Sequence, residues 1–254
     1  MFFTNLFESN LVSKKLFQDI IYYTTTDSTN DDVWEEYQET KNNVLIITDN
    51  QKNGRGRNNN TWFSKPSHSI TCSFILEQVF KNEKINLHSL LIPIAIIEGI
   101  KEFTSIQLQV KWPNDLMYEN KKVGGILIES KSYNMSYVYN VGIGINVNED
   151  LDDFPDPIKN NSISLKQISG HPIQREPLLA SIFNRLNTLI QNLDSIELTD
   201  LWMAYCMHKN LQVKFQHQNN AITGIFKGLN NNGQAIIDCN NETITYNGAI
   251  NLLV

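Results

Sequence analysis

Glycines alternate with arginines at residues 54–57, which read GRGR, and this run is flanked by Gln51 and Trp62. Glycine lets backbone N–H groups turn toward an anion, and the two arginines add positive charge. The run therefore predicts a loop that closes around an anionic ligand. A solvated basic loop is the alternative, since the spacing fits neither the phosphate-loop nor the dinucleotide-binding motif.

Two lysines stand at the start of further motifs. Lys111–Asp115 reads KWPND, and Lys122–Glu129 begins with a lysine followed by an apolar strand that contains two glycines. Strand glycines weaken a sheet unless a ligand or another backbone must approach closely. Lys122 at such a site could neutralise both a carboxylate and a phosphate. The alternative is a solvated Lys122 beside a packed turn.

A third motif, Gly142–Asn148, reads GIGINVN and closes another apolar strand. Its small residues could leave room for a neighbouring side chain, or for a ligand. Asn146 would need a hydrogen-bond partner if it is buried.

Short β-rich runs and helical patterns must position these motifs. Strands are predicted at Val44–Thr48, Ile70–Leu76, Leu108–Trp112, Val123–Glu129 and Tyr137–Val147. Helices are predicted from a cap at Ser28 or Thr29, over Leu87–Phe103, from Pro177 through Ile190, and over Leu201–Met207. The aperiodic segment Asn148–Ser162 is predicted to be a mobile loop.

The sequence pattern changes after Leu211 to short strands of alternating apolar and polar residues, separated by Asn/Gly turns. The predicted strands are Val213–Gln216, Ala221–Lys227, Gln234–Asp238, Thr243–Tyr246 and Ile250–Val254. Five such strands predict a small barrel appended to an α+β main domain. We place the boundary so that residues 1–207 form the main domain and residues 208–254 form the barrel.

Composition narrows the function classes. The 254 residues carry a net charge of −6, which argues against a protein that holds DNA. Three widely spaced cysteines (Cys72, Cys206 and Cys239) predict reduced thiols in a cytoplasmic protein. The longest apolar run, Leu90–Ile97, is too short for a bilayer span of about 20 residues. We therefore expect neither a nucleic-acid nor a membrane partner.

The motifs, taken in chain order, resemble those of the biotin protein ligase family. That family shows a Ser-Thr-Asn at its first helix, a Gln and a GRGR…W loop, a KWPND turn, a K-x-x-GIL-x-E strand and a G-x-GIN strand end. This sequence presents, in the same order, Ser28-Thr29-Asn30, Gln51 with Gly54–Arg57 and Trp62, Lys111–Asp115, Lys122–Glu129 and Gly142–Asn146. The likeness extends from about Thr26 to the barrel.

The resemblance implies a mixed-sheet α+β catalytic domain of the biotin/lipoate ligase type with a small C-terminal SH3-like β-barrel. It implies that biotin is activated by ATP, with Mg²⁺, to biotinyl-5′-adenylate. The biotinyl group then passes to a lysine of a biotin carboxyl carrier domain, from acetyl-CoA carboxylase or a related carboxylase. A homodimer is left open. The family also has members with an N-terminal DNA-binding module, and the segment before Ser28 is too short for one.

The resemblance also assigns roles to residues. Lys122, Asp115 and Arg57 are expected to be catalytic, with Lys122 bridging the biotin carboxylate and the α-phosphate. The expected biotin-binding residues are Ser28, Thr29, Asn30, Gln51, Gly54, Arg55, Gly56, Arg57, Lys122 and Gly125. The expected nucleotide-binding residues are Arg55, Arg57, Trp62, Lys111, Asn114, Lys122 and Asn146. No metal ligand is assigned.

Two departures from the family concern the nucleotide. The family commonly continues after GRGR with a glycine and a further basic residue, whereas this chain has Asn58–Asn60. The family's adenine platform can be an aromatic residue in a later loop, but Lys159–Leu165 contains none. Two rival functions remain at this point, a lipoate–protein ligase and a non-catalytic biotin- or carrier-binding module. KWPND and GRGR favour biotin, and the intact Lys122 favours catalysis.

Overall fold

A seven-stranded mixed sheet carries the motifs, in the order β1-β2-β3-β7-β6-β5-β4. The computed structural model describes residues 1–12, 16–77, 79–80, 86–133, 136–217, 220–239 and 242–253, without the side chains of Asn59 and Tyr133. The strands are β1 (Asp19–Tyr23), β2 (Val44–Thr48), β3 (Ile70–Glu77), β4 (Gln109–Lys111), β5 (Asp115–Tyr118), β6 (Lys121–Tyr133) and β7 (Ser136–Ile145). Strands β1 and β2 pair in parallel, and the other pairs are antiparallel.

Helices cover both faces of this sheet. They are α1 (Thr4–Asn10), α2 (Thr29–Thr40), α3 (His88–Thr104), α4 (Asp156–Lys159), α5 (Leu165–Ser169), α6 (Arg175–Gln191) and α7 (Leu198–Tyr205). Successive side chains of a strand point to opposite faces. Accordingly, Leu45 and Ile47 of β2 join the large core with α3 and α6, whereas Val44 and Ile46 join a smaller cluster with α2.

Helices α3 and α6 pack closely because Gly99 lies between them. A Cβ atom at Gly99 would stand 2.6 Å from the Cα atom of Ile182 in α6. The missing side chain therefore sets how near the two helices can approach, and the apolar faces of both are buried.

A second sheet, in the order β11-β10-β9-β8-β12, forms the small C-terminal unit. Its strands are β8 (Gln212–His217), β9 (Asn220–Leu229), β10 (Ala235–Cys239), β11 (Glu242–Tyr246) and β12 (Ile250–Leu252). Trp112, Trp202 and Phe226 pack at its junction with the main sheet. The indole Nε1 of Trp112 also donates to the carbonyl oxygen of Gly248 at 2.8 Å. The predicted α+β class with an appended barrel is confirmed.

Several boundaries and one segment differ from the sequence expectation. Helix α6 begins at Arg175, before Pro177, because proline is tolerated in the first turn of a helix. Residues 148–162, predicted to be a mobile loop, contain a 3₁₀ turn at Leu151–Asp153 and helix α4. Helices α1 and α5 and strands β1 and β5 were not predicted. Val254, the predicted end of the last strand, lies outside the described residues, and the division at residue 207 stays a prediction.

Candidate active site

A cavity of about 290 Å³, here called the central cavity, lies against the seven-stranded sheet. Three walls enclose it: the sheet together with the start of α2 and the turn at residues 112–114, the loop of residues 50–69 (the arginine loop), and the end of the C-terminal unit. Its lining includes Thr29, Asn30, Gln51, Arg55, Gly56, Arg57, Trp62, Lys111, Asn114, Asp115, Lys122, Gly125, Gly144 and Ile250. Most residues predicted for the site thus meet in one cavity.

One row of residues in register crosses the sheet at the cavity. Asp115 of β5 pairs with Gly125 of β6, Gly125 with Gly144 of β7, and Gly144 with Thr71 of β3. The two adjacent glycines leave a trough in the sheet surface because they have no side chains. The trough explains why the sequence places glycines inside two otherwise apolar strands.

Trp62 and Lys122 fill this trough. A Cβ atom at Gly144 would stand 2.3 Å from the Trp62 ring, and one at Gly125 would stand 3.3 Å from Lys122 Nζ. Lys122 Nζ lies 5.8 Å from the centroid of the Trp62 ring, in a cation–π arrangement. The same ammonium forms an ion pair of 2.6 Å with Asp115 Oδ1. The glycines therefore bring a cation, a carboxylate and an indole together at the cavity wall.

A buried polar network supports the opposite end of the cavity. Gln51 Oε1 accepts from the backbone N–H of Thr29 at 2.9 Å and lies 3.2 Å from its hydroxyl. The Thr29 hydroxyl is 2.6 Å from that of Ser73, which donates to Asn30 Oδ1 at 2.8 Å. Asn140 Nδ2 donates to the Asn30 carbonyl oxygen at 2.6 Å. Since these groups hold one another, Thr29, Asn30 and Gln51 present fixed polar atoms to the cavity.

Arg55 lies at the outer edge of the cavity and is engaged by acidic groups. Its guanidinium bonds Glu129 Oε1 at 3.0 Å and Asp31 Oδ1 at 2.7 Å. Arg55 and Asp31 are both well exposed, so these pairs contribute little stability. Arg55 can exchange these partners for an anionic ligand at small cost.

Arg57 is more buried than Arg55 and borders the cavity near Asp115. Burial lowers the pKa of its guanidinium, while the charges of Asp115 and Tyr246 raise it. The side chain stays cationic, since arginine is not deprotonated in proteins. Arg57 and Lys122 thus supply two positive charges near Asp115.

The asparagines after GRGR shape the turn of the arginine loop. Asn58 has φ 55° and ψ 38°, a left-handed conformation that asparagine tolerates better than most residues. The carbonyl oxygen of Asn60 accepts from the backbone N–H of Gly56 at 2.7 Å. Where the family commonly has a glycine and a basic residue, this chain has asparagines, and these asparagines still form a closed turn.

Three predicted site residues lie outside the lining of the central cavity. Ser28 is the buried N-cap of α2, and its carbonyl oxygen accepts from the N–H groups of Asp31 and Asp32. Gly54 packs against the Trp62 carbonyl and the Gln51 side chain. Asn146 is buried, and its Nδ2 lies 3.4 Å from the Lys122 carbonyl oxygen and 3.3 Å from that of Ile163. For these three, direct contact with a ligand stays a prediction.

Sequence reasoning missed the third wall of the cavity. Ala249, Ile250 and Asn251, from the C-terminal unit, line it together with Thr71 and Cys72 of β3. Apart from Cys72, none of these residues has a type that suggests chemistry, and only the tertiary structure brings β12 to the cavity. Within the described residues, no group of three or more His, Cys, Asp or Glu side chains could hold a metal, and no helix is long and apolar enough to cross a membrane.

Comparison with known proteins identifies the family to which this chain belongs. The model of the biotin/lipoate A/B protein ligase family matches residues 22–148, half of the chain. The chain is 29% identical over 232 residues to the bifunctional ligase/repressor BirA of Bacillus subtilis, covering 88% of this chain and 70% of that protein. The protein is a ligase of the biotin/lipoate A/B protein ligase family, which confirms the resemblance drawn from the motifs.

Two further relatives narrow the likeness to biotin protein ligases. The biotin–[acetyl-CoA-carboxylase] ligase of Paracoccus denitrificans is 25% identical over 222 residues, covering 84% of this chain and 91% of that protein. The structure of the Aquifex aeolicus biotin protein ligase with biotin and ATP superposes with a TM-score of 0.76 at 26% identity. That superposition covers 93% of this chain and 99% of the other.

Proposed function

We propose that this protein joins biotin to ATP and passes the biotinyl group to a lysine of a biotin carboxyl carrier domain. One observation carries the proposal: Lys122 and Arg57 lie near Asp115 in a cavity that is also lined by fixed polar groups. A ligand with a polar ring at one end and a carboxylate at the other fits this arrangement. The relatives named as biotin protein ligases support the choice of biotin.

In the first step, a carboxylate oxygen of biotin attacks the α-phosphorus of ATP, and pyrophosphate leaves. Two anions must meet, so catalysis depends on positioning and on positive charge. Lys122 would bridge the carboxylate and the α-phosphate, leaving its pairing with Asp115 as they bind. Arg57, Arg55 and the backbone of the arginine loop would close over the adenylate and exclude water.

In the second step, the uncharged amine of a carrier lysine attacks the acyl carbon of the adenylate, and AMP leaves. Asp115 would orient the incoming amine or accept its proton. Gln51 and Thr29 would hold the ureido ring of biotin, since a mostly apolar ligand is oriented by a few fixed polar groups. Trp62, Lys111 and Asn114 are the cavity residues that would contact the nucleotide. The carrier domain of acetyl-CoA carboxylase, named for the Paracoccus relative, is the acceptor to test first.

Mg²⁺ would accompany the nucleotide. It commonly binds through one or two carboxylates together with substrate phosphates, and it keeps several waters. Asp115 is the carboxylate among the described residues of the cavity lining, and Asn114 adjoins it. These two residues therefore fit an ion held mainly by phosphate oxygens, and the ion would neutralise phosphate charge.

The decisive experiment supplies ATP and Mg²⁺ with either biotin or lipoate, and follows pyrophosphate release and labelling of a biotin carrier domain. We expect pyrophosphate and carrier label with biotin alone. Label from lipoate alone would replace the assignment with a lipoate–protein ligase. No adenylate with either acid would leave a non-catalytic binding module.

A further inference from the structure

Asp49 stands at the start of the arginine loop and is deeply buried. It follows β2 directly and comes two residues before Gln51. Its Oδ2 accepts from the Tyr22 hydroxyl at 2.7 Å and from the Phe2 N–H at 3.1 Å, and its Oδ1 lies 2.9 Å from Arg175 Nη2. Burial alone would raise the pKa of this carboxyl, but the Tyr22 hydrogen bond and the Arg175 charge hold it below its ordinary value. Asp49 is therefore a fixed anion at one end of the loop.

Arg175, the first residue of α6, reaches both ends of the arginine loop. Nη2 pairs with Asp49 at the first end, and Nη1 donates to the Ser69 carbonyl oxygen, 3.0 Å away, at the second end. Only 6% of Arg175 is exposed, so both interactions are shielded from water. One rigid guanidinium thus ties the two ends of the loop that carries Gln51, Arg57 and Trp62.

The contacts continue from Ser69 to the strand that carries Lys122. The Ser69 hydroxyl bonds the buried Glu149 carboxylate, and the Glu149 carbonyl oxygen accepts from the Ser164 hydroxyl at 2.7 Å. The neighbouring residues pair with β6: the Lys122 N–H donates to the Asn161 carbonyl oxygen at 2.8 Å. Residues 148–164 therefore bridge Ser69 to the backbone of the proposed catalytic lysine.

We propose that Arg175 is a positioning residue that couples the arginine loop to the Lys122 strand. The role in catalysis rests on the proposed function, whereas the coupling itself does not. Arg175 bonds Asp49 and Ser69, and neither of these residues lines the central cavity, so Arg175 acts through the loop ends. Its loss should loosen residues 50–69 and 148–164 together, weaken biotin binding and let the adenylate escape.

The test uses Arg175→Lys, because lysine keeps the charge beside Asp49 but cannot replace the two-pronged guanidinium. Arg185→Lys is the matched control. Arg185 lies on the same helix and pairs with Glu98 through Nε, away from the arginine loop. Hydrogen exchange of the free protein should rise about tenfold at residues 50–69 and 148–164 in the first variant only, as expected for one lost charge-assisted hydrogen bond. Exchange in β9 should not change.

The kinetic readout separates positioning from general damage. With biotin and ATP, Arg175→Lys should raise the KM for biotin and the rate of adenylate release about tenfold, while kcat changes less than threefold. Unchanged exchange in both segments would overturn the coupling. Faster exchange with unaltered KM and adenylate release would overturn the role in catalysis. Failure of the parent protein to make an adenylate would refute the proposed function without touching the exchange result.

A second variant tests the proposal in case the Arg175→Lys protein does not fold. If Arg175→Lys shows no cooperative melting transition, the double variant Asp49→Asn/Arg175→Gln removes both charges; asparagine matches aspartate in size, and glutamine is a shorter polar side chain than arginine. It should show the same faster exchange in the two segments. Normal exchange there, or loss of folding in this variant as well, would overturn the proposal and make Arg175 a determinant of the fold alone.

Discussion

Lys122 Nζ lies 2.6 Å from Asp115 Oδ1, across the trough made by Gly125. The ammonium is thus held at the cavity wall before any ligand binds. Replacing Lys122 with alanine should lower the rate of adenylate formation about 10²–10³-fold, the usual cost of removing one charge-stabilising group. Pyrophosphate release measures this directly.

Lys121→Ala is the control for this change, since Lys121 is the exposed neighbour in the same strand. It should stay within twofold of the parent. Activity of the Lys122→Ala protein within a few-fold of the parent would remove Lys122 from the reaction.

Gly144→Ala should displace Trp62. The new methyl group would stand 2.3 Å from the indole, so the ring and the loop that carries it must move. A shift of about 1 Å in a positioned group can cost about 100-fold in rate. We expect a loss of that order in adenylate formation, with the protein still folded by circular dichroism.

The Trp62→Ala background tests the cause of that loss. Without the indole there is no clash, so the Trp62→Ala/Gly144→Ala protein should be as active as Trp62→Ala alone. Additive losses would show that Gly144 matters for a reason other than space for Trp62.

Thr29→Val keeps the shape of the side chain and removes its hydroxyl. Ser73 still donates to Asn30 but loses the Thr29 hydroxyl as a partner, and Gln51 Oε1 keeps the Thr29 N–H but loses its contact with the hydroxyl. The free energy of unfolding should fall by about 0.5–1.5 kcal/mol, the usual net contribution of one hydrogen bond. The KM for biotin should rise, because Gln51 is less firmly held. Urea titration and steady-state kinetics measure the two effects.

Thr40→Val in the same helix is the comparison. The Thr40 hydroxyl bonds the Glu36 carbonyl oxygen at the exposed end of α2. Its unfolding free energy should change by less than about 0.5 kcal/mol. Equal stability of the two variants would contradict the view that the buried network holds the cavity end.

His208 should make the protein acid-sensitive. It is fully buried between Trp202 and Phe226, and burial followed by the Lys111 charge lowers its pKa from 6.5 to about 4. Below pH 6.5 the unfolded chain binds a proton at His208, whereas the native state stays unprotonated down to about pH 4. The contribution of His208 to the free energy of unfolding is therefore fully present above pH 6.5 and falls as the pH drops toward 4. The loss should approach about 3 kcal/mol.

His208→Gln should flatten the unfolding free energy between pH 6.5 and 4. The exposed His171, replaced in the same way, should leave the slope as it is in the parent. A parent slope that survives His208→Gln would assign the acid sensitivity to other groups.

The strands that contain the site motifs could be predicted from the sequence, because their apolar runs and glycines are local features. Val44–Thr48 was predicted with the observed bounds, and the glycines of β6 and β7 marked where a ligand or side chain must approach. Strand β1 was missed, since Asp19–Tyr23 is only partly buried, whereas β2 of the same length is buried throughout. Its pairing with β2 depends on contacts that no local pattern records.

The supporting residues of the site were harder to predict than the residues that line it. Asn146 is a motif residue whose Nδ2 lies near the carbonyl oxygens of Lys122 and Ile163, and its contact with the nucleotide stays a prediction. Arg175 belongs to no motif, and its partners Asp49 and Ser69 are distant in sequence. Polar residues that hold the ends of a loop belong to no local sequence motif. They can be recognised only in the structure, where the two ends lie close together.

The third wall of the central cavity has a consequence for biosynthesis. Residues 249–251 are made long after the arginine loop and Lys122, because the ribosome builds the chain from its amino end. Domains generally fold as units during synthesis, N-terminal first. A nascent chain can therefore present its folded main sheet to ATP and biotin while the cavity is still open on one side. Competence to retain a reactive product would arrive only when β12 pairs with β8, after the strands of the main sheet have been synthesised.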